Sequence, residues 1–163
     1  MLDKVSNDTL LFHQLHKRIW PAAQRDSLFW SHIRKITDGQ LKPDDAVDTY
    51  LVCNKSMGDQ AMFLAGLTNA APPAGKNGVL RLDLTVIFVA DTVVVNPAKR
   101  GVPVDRLRRE DVGCRITYCS VVNPGGWAPA SVLRTVYKRE YPRFLKRFTG
   151  YVIEKCKRKP LMW

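Results

Sequence analysis

The chain has 163 residues, 45% of them hydrophobic and 25% charged, and a formal net charge of +11. That length fits one domain, residues 1–163, with a core large enough to fold, and no run of about 18 apolar residues is present to cross a bilayer. The charge excess points to an anionic partner, whether lipid headgroups, nucleic acid or an acidic protein, or else to a solvated helix face.

The segment Met1 to Asp8 is too polar for a secretory signal. Leu10 to Ile19 reads as a first strand, and Trp20-Pro-Ala-Ala-Gln24 turns it, since Pro21 cannot donate to a ladder. Arg25 to Ile36 returns as a second strand. Asp38-Gly39 and Pro43-Asp44 punctuate the link to a third, Asp48 to Met57. Gly58 to Lys76 is rich in Gly, Ala and Pro and reads as a long loop, with a short helix near Gln60 to Leu67. Asn77-Gly78 opens a β stretch that reaches Val95. Asn96 to Arg109 is a basic, exposed loop punctuated by Pro97, Gly101 and Pro103. Asp111 to Val122 is the last strand, and Cys114 and Cys119 fall on its opposite faces. The four cysteines lack metal-type spacing, so reduced thiols are expected, with no metal and no cofactor. Strands joined by turns predict an antiparallel sheet with one face on a core.

After Asn123-Pro124, two glycines turn the chain, Trp127 sits in the loop, and a helix runs from Pro129 to Lys157. Leu133, Val136, Tyr137, Phe144, Leu145, Phe148 and Val152 recur at three and four, giving an apolar stripe against a basic back. Pro142 removes a helical hydrogen bond and predicts a bend near Lys138 to Tyr141. No internal repeat is evident, and Lys157 to Trp163 reads as a loose tail.

Alternation puts polar side chains among apolar neighbours. Leu10, Phe12, Gln14 and His16 share a face; so do Tyr50, Val52, Asn54 and Ser56, and Cys114, Ile116, Tyr118 and Ser120. A buried polar group without a partner costs roughly 1–3 kcal/mol. Such groups therefore pair within an ordinary core, or they hold a ligand headgroup carrying hydroxyls and an amide. Chemistry beyond binding has little support. His13 and His16 fall on opposite faces, His32 lacks a metal-spaced partner, and no nucleophile elbow or phosphate loop occurs. Zinc-finger spacing and aromatic ribonucleoprotein motifs are also missing, which argues against nucleic acid.

Five segments, in order, resemble START lipid-transfer domains: Gln14 to Asp26, Val52-Cys-Asn54, Cys114 to Tyr118, Asn123 to Arg134 and Lys138 to Phe148. The resemblance implies an α+β helix-grip fold, a curved antiparallel sheet packed on the C-terminal helix. By that comparison the chain is N-terminally truncated: it begins after the family's first helix, three strands and two further helices, and the family's acidic headgroup residue has no match. The implied function is non-enzymatic transfer of ceramide or a related sphingolipid between membranes, from endoplasmic reticulum to Golgi, by a cytoplasmic protein in peripheral membrane contact. Gln14, Asn54 and Tyr118 match the family's ligand-binding positions. Phe29, Leu84, Val86, Val136 and Phe144 are implied to line the cavity, and Trp20 and Trp127 to dock on the membrane. The rival reading is a basic membrane-surface or protein-interaction module without an internal ligand.

Overall fold

A computed structural model describes residues 3–18, 23–37, 41–58, 66, 78–126 and 129–161. The expected turn at Trp20 to Ala22, the Asp38-Gly39 punctuation, the helix near Gln60 to Leu67 (Gly66 apart) and Trp127 lie outside the described residues. The chain divides into two compact units, Met1–Gly125 and Gly126–Trp163.

The first unit is a curved seven-stranded sheet. Its strands are β1 (Asp3–Lys4), β2 (Thr9–Leu15), β3 (Arg25–Lys35), β4 (Ala46–Ser56), β5 (Leu80–Arg81), β6 (Asp83–Val94) and β7 (Val112–Asn123). The order is β1-β2-β3-β4-β6-β7, with every neighbour antiparallel. Only β5 departs from that pattern, pairing in parallel with the start of β3. It takes up where β4 stops: β4 pairs β3 from Lys35 back to Phe29, and β5 then pairs Arg25 and Asp26.

Sequence and structure agree on the four long strands to within a few residues. The first expected strand is the exception, because β2 ends at Leu15, four residues before Ile19. One more backbone bond, from the His16 N–H to the Arg25 carbonyl at 2.8 Å, closes the β2–β3 ladder. The expected loop from Asn96 to Arg109 carries short 3-10 turns at Pro97–Lys99 and Val104–Arg106, and a third follows at Arg109–Asp111. Asn96 caps the first through the Ala98 N–H and donates to Asp111, and Leu107 is buried as the loop's anchor.

Period-2 alternation and the register assign each side chain to a face. Phe12 pairs with Phe29, and Phe29 with Ser56; Asn54 pairs with Val86, and Phe88 with Tyr118. On this face Phe29, Leu82, Leu84 and Val86 form a buried cluster, against which Phe12, Tyr118 and Val122 pack. The Phe12 and Phe29 rings stack at 5.7 Å. The opposite face carries a second cluster of Leu11, Leu28 and Met57, joined by Trp30. Val86 and Phe29 are thus core residues of the first face, and Leu28, fully buried, of the second.

The second unit is one helix, α1 (Ala130–Cys156), 27 residues long. Pro129 stands at its N-cap, where a missing N–H costs nothing. The helix continues through Pro142. Its aromatic stripe is self-paired: Tyr137 meets Tyr141 edge-on at 5.7 Å, and Phe144 stacks on Phe148 at 5.9 Å. An antiparallel sheet followed by one long helix is the α+β arrangement that the START resemblance implies.

Candidate functional site

Strand register collects the candidate residues of the sheet on one surface. Leu10, Ser31, Asn54, Val86 and Ser120 form a row straight across β2, β3, β4, β6 and β7. The next row holds Ile33, Val52, Phe88 and Tyr118. Phe12, Phe29 and Ser56 flank Asn54 on the other side. Gln14, Asn54, Tyr118, Phe29, Leu84 and Val86 therefore all face the same way, although they come from five strands.

Asn54 is the unusual member. Its Oδ1 is buried and accepts no hydrogen bond among the described residues. Native structures rarely leave a buried carbonyl oxygen orphaned, because its lost hydration goes uncompensated. Val86 directly across from it is 7% exposed and has nothing to donate. Ser56, a neighbour on the same strand face, is already engaged, its hydroxyl accepting the Leu84 N–H at 2.8 Å. The amide oxygen is thus an acceptor presented by an apolar surface, which suits a ligand N–H or O–H.

Tyr118 is half-buried against the Phe29–Val86 cluster, and register puts it in the row next to that of Asn54. Gln14 stands apart. It is exposed, sits at the end of β2 and pairs with the fully buried Ser27, two rows from Asn54. Val136 and Phe144 belong to α1, half-buried and 45% exposed respectively. The two tryptophans, Trp20 and Trp127, lie outside the described residues.

Sequence pattern alone did not single out the charged groups of the opposite face. Asp26 is 5% exposed and takes Arg81 in a two-pronged bond, Nε at 2.7 Å and Nη2 at 3.0 Å, with His13 Nε2 at 2.8 Å. Burial pushes the Asp26 carboxyl up, but the Arg81 and His13 bonds overcome it and hold it below its ordinary value. The pair joins β3 to β5 across 55 residues of sequence. Farther along, buried Asp91 accepts from Thr49 at 2.8 Å and from Arg115, which also forks onto Asp45. These two carboxylates raise the Arg115 guanidinium further above its usual value.

His16 is the one histidine near the Asn54 face. Its Nε2 meets the Ser27 hydroxyl at 2.9 Å, and burial lowers the imidazole below its usual value against the opposing pull of Asp26. A neutral ring and a fully buried serine make a structural hydrogen bond; the serine oxygen has no access for attack on a substrate. No cluster of three potential metal ligands occurs among the described residues. No helix of the described residues is long and apolar enough to cross a membrane.

No protein-family model matches the chain. Curated relatives do. The chain is 40% identical over all 163 residues to the ceramide transfer protein of Homo sapiens and to that of Cricetulus griseus, and 39% identical to that of Xenopus laevis. The alignment takes in 100% of this chain but 23%, 24% and 23% of those proteins in turn. The chain thus spans about a quarter of the length of the curated relatives it matches, which fits a piece of START-like domain.

Proposed function

We propose that this chain, homologous over its whole length to ceramide transfer proteins, is a non-enzymatic lipid-transfer element that holds ceramide or a related sphingolipid on the apolar sheet face around Asn54. The single observation behind the reading is the orphaned Asn54 Oδ1. A ceramide amide or hydroxyl would donate to it and remove a penalty of roughly 1–3 kcal/mol. Tyr118 and Gln14 would pair with further headgroup oxygens and hydrogens. Phe29, Leu84 and Val86 would line the path of the acyl chains on the sheet, and the expected roles of Val136 and Phe144 concern α1 by itself. Burial of the chains would supply affinity at roughly 0.8 kcal/mol per methylene, and the polar pairs would supply selectivity.

Transfer also requires the protein to rest on a bilayer. Trp20 and Trp127 are proposed to do this, since an indole combines an apolar ring with a polar N–H and favours the membrane interface. The route proposed is from endoplasmic reticulum to Golgi through the cytoplasm. The test is transfer of labelled ceramide between vesicles. Asn54→Ala and Tyr118→Phe should each weaken ceramide binding by about 1–3 kcal/mol while the fold survives. Parent-like binding by both variants would remove this face from the mechanism.

A second reading draws on charge. Ten Lys and Arg residues lie between Arg134 and Lys159, against Glu140 and Glu154. A module that binds anionic surfaces without an internal ligand would show salt-sensitive vesicle binding and extract no lipid.

A further inference from the structure

Ser31 is the residue paired directly with Asn54 across the β3–β4 ladder, on the same face. It is half-buried, with Leu10 opposite it on β2 and Phe29 and Ile33 beside it along β3. No hydrogen bond engages its hydroxyl among the described residues. The neighbouring serines of this face differ: Ser27 is bonded to His16, and Ser56 to the Leu84 N–H. Nor does the Ser31 hydroxyl satisfy Asn54, whose Oδ1 remains without a donor. Two adjacent polar groups of one row, flanked by Leu10 and Val86, thus have no partner among the described residues.

We infer that Ser31 and Asn54 form a two-point polar site, in which Asn54 accepts from the lipid amide or hydroxyl and Ser31 bonds a second, hydroxyl group of the same headgroup. Directly opposed residues of an antiparallel pair hold their Cβ atoms about 4.5–5.5 Å apart. That span selects ligands with two polar groups on neighbouring carbons of one headgroup, and it disfavours lipids with a single hydroxyl. The serine hydroxyl both donates and accepts, so it serves a ligand hydroxyl in either sense. The inference rests on the ceramide-type ligand proposed above and adds a specificity determinant to it.

The experiment measures binding of fluorescent ceramide and of two analogues, each lacking one of its two hydroxyls, to the parent chain and to Ser31→Val, Ser31→Thr and Asn54→Ala. Thermal melts of every variant verify folding. Valine keeps the serine's place in the strand without a hydroxyl, and threonine restores the hydroxyl with a side chain that strands favour. Ser31→Val should lose about tenfold in affinity for ceramide, a single hydrogen bond's worth. It should lose nothing for one of the deoxy analogues, and Ser31→Thr should bind ceramide as the parent does. If Ser31→Val discriminates among the three lipids as the parent does while Asn54→Ala weakens ceramide, Ser31 is overturned and the Asn54 site stands. If the parent binds none of the three lipids, both readings fall together.

Discussion

Removing Asp26 should uncouple β5 from the sheet. The carboxylate is 5% exposed and accepts three bonds of 2.7, 2.8 and 3.0 Å from Arg81 and His13. Charge-assisted bonds are worth roughly 1.5–3 kcal/mol each but do not add when they share one acceptor. Deleting one partner of a buried pair typically costs about 3–5 kcal/mol, because the other charge is left stranded. Asp26→Ala should therefore cost about 3–5 kcal/mol, a large share of an ordinary domain's 5–15 kcal/mol. Urea denaturation followed by circular dichroism reads the loss, and Arg81→Ala with the double variant completes a cycle. The coupling should exceed about 1 kcal/mol. The sign with pH follows from the depressed carboxyl. Its contribution is fully present above the unfolded value of about 3.9 and is lost as the pH falls through the lower folded value. The parent should lose stability over that acid range and Asp26→Ala should not. Additive single variants, or a cost under about 1 kcal/mol, would refute the ion pair as the link between β3 and β5.

Other positions carry predictions of their own. Leu28→Ala opens a void in a fully buried site and should cost about 2–5 kcal/mol in the same denaturation experiment, with ceramide binding by the surviving folded fraction unchanged, since Leu28 faces away from Asn54. Gly125→Ala should destabilise by at least about 1–2 kcal/mol in a thermal melt: its φ is +63°, and a Cβ would stand 2.9 Å from the Arg81 carbonyl oxygen. The basic residues of α1 should make vesicle association fall as salt rises from 0.05 to about 0.5 M, since screening shortens to a few ångströms there; association indifferent to salt would remove charge from membrane contact.

The strands were legible because alternation and Gly/Pro punctuation act locally. Arg25 to Lys35 and Val112 to Asn123 came within a residue or so of their reading in the sequence. Parity likewise put Asn54 and Tyr118 among apolar neighbours on their own strands. What parity could not supply was register between strands, which is set by contacts far apart in sequence. The pairing of Ser31 with Asn54 emerges only from the β3–β4 ladder, and serine alone carries no signal of binding. The parallel contact of Leu80–Arg81 with Arg25–Asp26 is equally non-local, fixed by an ion pair that composition cannot reveal. At β2 the strand ends at Leu15, His16 adds one last ladder bond, and Lys17-Arg18 lie beyond the strand although the sequence reads as strand to Ile19. Within Asn96 to Arg109, Pro and Gly marked a loop, but the Asn96–Asp111 bond that organises its base joins residues outside any local motif.

The most direct measurement is a photocrosslinking map. A ceramide bearing a photoactivatable group beside its amide is bound to the chain, irradiated, and the labelled peptides are read by mass spectrometry. Label should fall on Ser31, Val52, Asn54 and Tyr118, which share the face around the orphaned oxygen. Label confined to Cys53, Thr117 and Cys119 of the opposite face, or to the basic residues of α1, would contradict a headgroup site at Asn54.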